Sequence, residues 1–414
     1  MGRIKLLALL LVSALFVNLC SRTVWNVAGA KTRQPVKMVS DGEEYRAYWF
    51  SFYNYSQYQA KYKKQSASNF KSYFQSVLKH GKELGMNHII VHVRPFGDAL
   101  YESKYFPWSS YISGKQGRDP GFDPLEIMVS AAHENGMKIE AWINPYRVTL
   151  NSTDYKKLSK DNPARKWQEG KSTKRNVLSY SGSLYYNPAK KEVRDLIVNG
   201  VREIVENYDV DGIHMDDYFY PSFTEENVDT AFDAREYHQS KEKKQGMSIA
   251  EYRRNQVNTL VRQIRKAIQE IDPEVTYGIS PAGNLENLTS DYAYYVDIKR
   301  WLASDQYVDY ICPQIYWGFQ HPTAGFERVA DQWAKLCKDS PVKLYIGIGV
   351  YRAGHEEGDS PSEQKEWKSD ADVLKKQIEY GRKKKADGFA FFDYRDLIGH
   401  AAKDAVNQLK TVLK

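Results

Sequence analysis

Apolar positions along the chain follow two alternating rhythms. Short runs of period two read as strands, and longer stretches with apolar residues three and four apart read as helices. Tyr45 to Phe52 is the first strand, and Phe70, Phe74, Val77 and Leu78 then recur at helical spacing up to Gly81 and Gly85. His88 to Pro95 is the second strand. It sets Ile89, Val91 and Val93 on one face and His88, Ile90, His92 and Arg94 on the other. Lys138 to Ile143 is the third, with Glu140, Trp142 and Asn144 sharing a face. A stripe of Val193, Leu196, Ile197, Val201, Ile204 and Val205 marks a helix, which leads into the fourth strand, Asp211 to Tyr218.

The same alternation continues to the end of the chain. A helix runs through Tyr252, Val257, Leu260, Ile264 and Ile268 to a fifth strand, Glu274 to Ser280. Tyr292 to Leu302 reads as helical, Val308 to Ile315 as the sixth strand, and Phe326 to Leu336 as a helix. Lys343 to Val350 is the seventh strand, Ala371 to Arg382 a helix, and Gly388 to Asp393 the eighth strand, followed by a last helix. Eight strands alternating with helices predict an α/β fold, a (β/α)8 TIM barrel spanning residues 44–414 as one domain. Three polar stretches are too long for simple connections: Phe96 to Phe122, Thr149 to Tyr185, and residues 218–247. Loops of that length favour a functional role.

Polar clusters fall just after the strands, at the end where such barrels carry their sites. Arg94 and Asp98 follow the second strand, Asn144 and Arg147 the third, and His214, Asp216 and Asp217 end the fourth. Ser280 and Asn284, then Gln314, Tyr316 and Trp317, then Tyr351 and Arg352, and finally Asp393 follow the others. On the fourth strand Gly212, His214 and Asp216 share parity, so Asp216 is expected to face the axis and Asp217 the rim. Adjacent acids also serve as caps or ion-pair partners, and their strand-end position is what favours chemistry. Cleavage of a glycosidic bond usually needs two carboxyl groups, one donating a proton and the other attacking or activating water. Asp216 is the candidate nucleophile or base. Asp98 is preferred as the acid, with Asp217 next and Glu102, Glu140 and Asp393 competing. Arg94 and Arg147 are candidates to pair with a substrate carboxylate, or with acids in the mouth. Trp142, Tyr316, Trp317 and Tyr351 are candidate sugar platforms, and Asn144, His214 and Gln314 candidate hydrogen-bonding residues.

Composition changes the picture in three places. The net charge of +7 includes Arg3, Lys5 and Arg22 and no acid within residues 1–30, so removal of that segment takes +7 to +4. That is too weak and dispersed for a nucleic-acid partner, and no stable protein partner is expected. Residues 1–30 read as a secretory signal peptide. They carry a basic start, an apolar run from Leu6 to Val17, and Ala28-Gly29-Ala30 as cleavage site. Export is expected. An uncleaved anchor is an alternative, and Leu19 before Cys20 argues against lipidation. Residues 31–43 read as a flexible lead-in. Cys312 and Cys337 then remain, read as free thiols with a single bridge left open. No zinc, phosphate-loop or nucleophile-elbow motif occurs, so neither metal nor cofactor is expected.

Several ordered segments resemble the glycosyl-hydrolase-like family 10, once a domain of unknown function. They are Tyr45-Arg46-Ala47-Tyr48-Trp49, Val93 to Ala99, Phe106-Pro107-Trp108-Ser109, Asp123-Pro124-Leu125, and Ala141 to Arg147. Tyr186-Asn187-Pro188, Asp211 to Pro221, Ser280-Pro281 and Pro313 to Trp317 belong to the same set. The resemblance runs from about Tyr45 to about Asp393. It implies a (β/α)8 barrel, often exported, and a polysaccharide substrate. In some members that substrate is peptidoglycan strand stripped of its stem peptides, whose lactyl carboxylates would suit Arg94 and Arg147. The Asp211-Gly212-x-His214-x-Asp216 spacing is also similar to the fourth-strand motif of α-amylase-like barrels, where the last Asp is the nucleophile. Those barrels carry an acid on strand five, and here that strand ends in Ser280-Pro281. Two other readings stay open: hydrolysis of an α-linked glucan or capsular polysaccharide, and a non-catalytic glycan-binding barrel.

Overall fold

The structure, a computed structural model, describes residues 42–63 and 65–413. The expected leader, and the lead-in as far as residue 41, lie outside the described residues. Among the described residues there are ten strands: β1 Tyr45–Phe50, β2 His88–Arg94, β3 Lys138–Ile143, β4 Val177–Tyr180, β5 Ser183–Tyr186, β6 Gly212–Asp216, β7 Thr276–Ser280, β8 Tyr310–Ile311, β9 Lys343–Gly349 and β10 Gly388–Phe392. Eight of them close a barrel in the order β1-β10-β9-β8-β7-β6-β3-β2, while β4 and β5 form a separate antiparallel hairpin. Every barrel pairing is parallel. Helices occupy the crossovers, so the chain is a (β/α)8 barrel, as the periodicity predicts. Among the described residues no helix is long and apolar enough to cross a membrane.

Two apolar layers follow from strand parity. Ile89, Val91 and Val93 of β2, with Ile213 and Met215 of β6, face the surrounding helices and are fully buried there. The opposite faces meet inside the barrel, where Tyr45, Ala47, Trp49, Ile90, Trp142, Tyr310, Cys312, Tyr345 and Ala390 pack together. Tyr45 stacks on Tyr345 with ring centroids 3.9 Å apart, and Tyr310 lies 4.7 Å from Tyr345. Rings this large need small neighbours. A Cβ added to Gly278 of β7 would lie 1.9 Å from the Tyr310 ring, and one on Gly212 of β6 2.9 Å from Glu140.

Helix ends follow their capping signals. Asp123 accepts from the N–H groups of Leu125 and Glu126 to start Pro124–Glu134, and Ser248 with Glu251 forms a reciprocal cap on Ile249–Ile271. The departures have local causes. The sixth predicted strand shrinks to Tyr310–Ile311, because Pro313 has no N–H to give the ladder; pairing resumes only as single bridges from Gln314 to Ala282 and Gly347. The helix predicted from Tyr292 is confined to Ile298–Leu302. Tyr294 and Tyr295 sit at φ 57° and 55°, and the Tyr295 hydroxyl is fixed by Arg253, itself in a buried ion pair with Asp233 at 2.8 Å. Tertiary contacts there override helix propensity. The polar stretch after β3 holds a helix, Pro163–Glu169, and the β4–β5 hairpin, and a further helix, Pro361–Ser369, precedes β10. Cys312 is a buried free thiol and Cys337 a half-buried one.

Replacing Gly278 with Ala is expected to destabilise the fold by about 2–3 kcal/mol, since the Tyr310 ring has no space to yield. Denaturant unfolding measures this, and an unchanged midpoint would show that the ring is not packed against Gly278.

Candidate active site

A cavity of about 340 Å³ opens at the C-terminal ends of the barrel strands. Residues on or just after all eight barrel strands line it. Trp49, Ser51, Phe52 and Tyr53 come from β1 and the turn after it, His92 and Pro95 from β2, and Trp142, Arg147 and Leu150 from β3. Asp216 and Tyr218 follow β6, Ser280 ends β7, Gln314 and Tyr316 follow β8, Tyr351 follows β9, and Phe392 ends β10. Tyr53 and Tyr218 are each 45% exposed at its rim, which is unusual for rings of that size and suits a flat apolar ligand face.

Asp216 is the sole carboxylate on this wall among the described residues. Its inward direction follows from its parity with Gly212 and His214. Its Oδ2 accepts from Trp142 Nε1 at 3.1 Å and from Asn144 Nδ2 at 3.5 Å, and Oδ1 accepts from the Tyr218 N–H at 3.4 Å. Burial pushes its pKa up to about 6, opposed by the charge of Arg147 and by these donors. Asn144 also accepts from the Arg147 N–H at 3.0 Å, so one amide fixes both charged residues. The Arg147 guanidinium lies over the Tyr218 ring at 4.0 Å. Asp217, next along the chain and 6% exposed, is pushed up to about 7, first by burial and then by the charge of Asp216.

Below the wall runs a column of polar rings. Trp49 Nε1 donates to His214 Nε2 at 3.2 Å, which requires the His214 proton to sit on Nδ1. Nδ1 then donates to the Tyr310 hydroxyl at 2.7 Å, and that hydroxyl donates to Glu140. Tyr45 donates to the other Glu140 oxygen at 2.9 Å. Burial lowers the His214 pKa to about 3 and raises that of Glu140 to about 7. His214 is therefore a neutral, fully buried support. It holds Trp49, and Ser280 Oγ at 3.2 Å, both of which reach the wall. His92 is different. It stacks on Trp142 at 3.6 Å, lines the cavity, and neither ring nitrogen has a hydrogen-bond partner among the described residues. Burial drives its pKa well down, leaving a neutral ring.

Of the candidates read from the sequence, Asp216, Trp142, Arg147, Gln314, Tyr316 and Tyr351 meet on this wall. Asn144 and His214 support this wall, and Asp217 adjoins it as the chain neighbour of Asp216. Four placements correct the sequence reading. Arg94 is 1% exposed and off the wall, its guanidinium 4.6 Å from the centre of the Phe106 ring. A bulge between His92 and Arg94 shifts it opposite Ile143, and the parity that aimed it at the axis ends there. Asp98 is 3% exposed and accepts from Gln116 at 2.8 Å, away from the cavity. Trp317 is half-buried against His321, 5.9 Å between ring centres, and is also off the wall. Asp393 is fully buried, accepting from Ser51 at 2.6 Å while capping Tyr394–Leu397. The sequence reading passed over Trp49, Ser51, Phe52, Tyr53, His92 and Phe392. The alternation of Tyr45, Ala47, Trp49 and Ser51 is the signal that finds part of this group. Among the described residues no group of three or more His, Cys, Asp or Glu side chains is placed to hold a metal ion.

A parallel barrel whose mouth joins a buried carboxylate to an aromatic wall is the architecture of sugar-cleaving enzymes. Residues 44–399 match the glycosyl hydrolase-like 10 family, and the chain belongs to it. It is 38% identical over 322 residues to glycosyl hydrolase YngK of Bacillus subtilis (strain 168), covering 75% of this chain and 61% of that protein. It is 35% identical over 322 residues to glycosyl hydrolase DigH of Escherichia coli (strain K12), covering 73% of this chain and 70% of that one. The match thus spans under two thirds of the length of YngK. The fold is similar to that of the PgaB (BpsB) glycoside hydrolase domain from Bordetella bronchiseptica, with a TM-score of 0.57 at 12% identity over 89% of this chain and 99% of that one. It is also similar to the endo-1,4-beta-mannanase from Rhizomucor miehei, with a TM-score of 0.54 at 10% identity over 91% and 96%.

The raised Asp217 pKa has a stability consequence. The folded chain keeps this proton up to about pH 7, whereas the unfolded chain loses it near the ordinary value of 3.8. Between those values the folded state binds more protons, so this group makes stability fall as pH rises through the window. Asp217→Asn removes that cost. Its melting temperature is expected to exceed that of the parent by on the order of a few degrees at pH 8, with the gap closing towards pH 4. A gap independent of pH would mean that Asp217 titrates normally.

Proposed function

We propose that this enzyme is exported and cleaves glycan strands of alternating amino sugars, namely peptidoglycan already stripped of its peptides. The single observation that carries this reading is that Asp216 and Arg147 line one aromatic wall, with Asn144 bonding the Asp216 carboxylate and the Arg147 backbone N–H. A guanidinium beside the reacting carboxylate suits a substrate that itself bears carboxylates, as lactyl-substituted sugars do. The family resemblance to wall-glycan enzymes and the leader-like residues 1–30 support the same reading. The exposed rings of Tyr53 and Tyr218 suit the faces of sugars that enter and leave the cavity.

In this reading Asp216 acts in its ionised form, and its chain neighbour Asp217 supplies the proton to the leaving oxygen in place of Asp98, which Gln116 holds away from the cavity. Trp142 and Asn144 keep the Asp216 carboxylate in place, and the neutral His214 column holds the floor without a competing charge. Asp216 must be charged and Asp217 protonated at once. Activity should therefore peak in a narrow band, failing below about pH 6 as Asp216 takes up a proton and above about pH 7 as Asp217 loses its own.

Purified enzyme incubated with peptide-free peptidoglycan strands should generate new reducing ends, and Asp216→Asn should lower that rate by about 10³-fold or more. Starch-type glucan cleaved in preference, or wall glycan bound without cleavage, would overturn the substrate reading. Arg147→Ala should raise KM for carboxylate-bearing strands about tenfold, consistent with loss of one charged hydrogen-bonding pair, while leaving strands of N-acetylglucosamine alone unaffected. Equal effects on both would remove Arg147 from carboxylate recognition.

A further inference from the structure

Cleavage with a protein nucleophile or base needs two carboxyl groups on opposite sides of the anomeric carbon, about 5 Å apart or roughly 6.5–9.5 Å apart according to outcome. The wall described above offers one. The other acids near the barrel mouth are committed elsewhere: Asp98 to Gln116, Asp393 to Ser51 and a helix cap, and Glu140 to the two tyrosines beneath His214. The remaining carboxylate, Asp217, is the immediate chain neighbour of Asp216 at the end of the same strand. Two consecutive residues reach a sugar from one side, so they do not flank it. Asp216 is also held on both oxygens, by Trp142, Asn144 and the Tyr218 N–H. A fixed anion of this kind serves well as a hydrogen-bond acceptor. Around it Trp49, Trp142, Tyr316 and Phe392 line the same cavity.

We propose, resting on the amino-sugar reading above, that the substrate supplies its own nucleophile: the carbonyl oxygen of a 2-acetamido group attacks the anomeric carbon of the same sugar. Asp216 accepts a hydrogen bond from the acetamido N–H and stabilises the positive charge that forms there. Asp217 gives its proton to the leaving glycosidic oxygen as that C–O bond breaks. The intermediate is a bicyclic oxazolinium ion. Water then attacks the anomeric carbon and passes a proton to Asp217 while the carbon–oxygen bond to the acetamido group breaks. The acetamido group and both carboxyl groups return to their starting states, and the new reducing end keeps the configuration of the original bond. The site thus selects N-acetylated sugars at the position whose bond is cut.

Three measurements on the full enzyme test this. Peptide-free strands should be cut at least about 10³-fold faster than the same strands after chemical N-deacetylation, and NMR of the first product should show retained configuration. N-acetylglucosamine-thiazoline, a stable analogue of the bicyclic ion, should raise the melting temperature of the parent protein and of Asp217→Asn, but not that of Asp216→Asn. Inversion, comparable cleavage of deacetylated strands, or a sugar trapped covalently on an Asp side chain would overturn this inference and leave the wall-glycan reading intact. If wall glycan is not cut at all, that reading fails, and the thiazoline still decides. Stabilisation that depends on Asp216 upholds the inference, and no stabilisation of the parent overturns it.

Discussion

The hydrogen-bonded chain from Trp49 through His214 and Tyr310 to Glu140 is the constraint on which the site depends. A barrel interior must be filled, and here it is filled with large rings that carry polar atoms. Each buried polar atom needs a partner, or it costs about 1–3 kcal/mol. Because Trp49 occupies Nε2, the His214 proton is confined to Nδ1, and every donor in the column then has an acceptor. The reward is geometric. Trp49 and Ser280 are held at the base of the cavity, and the histidine under them stays uncharged at any pH where the protein works. A positive charge there would lower the Asp216 pKa and draw its carboxylate down off the wall.

Above that floor, the chemistry comes from contacts across the β3–β6 pair. Trp142 and Asn144, at the end of β3 and just after it, direct their N–H groups at Asp216 on β6, and Asn144 also receives the Arg147 N–H. A carboxylate and the backbone that carries a guanidinium are thereby fixed by one strand end. Burial then separates the roles of two neighbouring acids. Asp216 retains donors and a cation that favour its ionised form, whereas Asp217 feels the negative charge beside it and keeps its proton to higher pH.

Much of this was legible in the amino-acid order. Period-two alternation in β2, β6 and β9 survives because each strand meets helices on one face and the packed interior on the other. The inward parity of His214 and Asp216 follows directly from it. What escaped did so for physical reasons. One inserted residue in β2 reversed the direction expected for Arg94. Asp98 lies on a long connection whose path is set by distant contacts such as Gln116, which no local pattern encodes. The rings of β1 carry no local mark of the wall, because aromatic side chains serve equally as core and as platform. The seat of Trp317, just past two wall residues, turns away through packing against His321. Loop composition near 294–295 favoured a helix, yet the buried Arg253–Asp233 pair imposed another path.

The mechanism stands or falls on where a sugar sits. A crystal structure of the Asp217→Asn enzyme with a peptide-free oligosaccharide of amino sugars tests it directly. The expected result places one sugar in the cavity with its acetamido N–H on Asp216, its ring against Trp142 or Tyr316, and a lactyl carboxylate on Arg147. An oligosaccharide bound outside this cavity, or within it with Asp216 contacting no part of the sugar, would contradict the account.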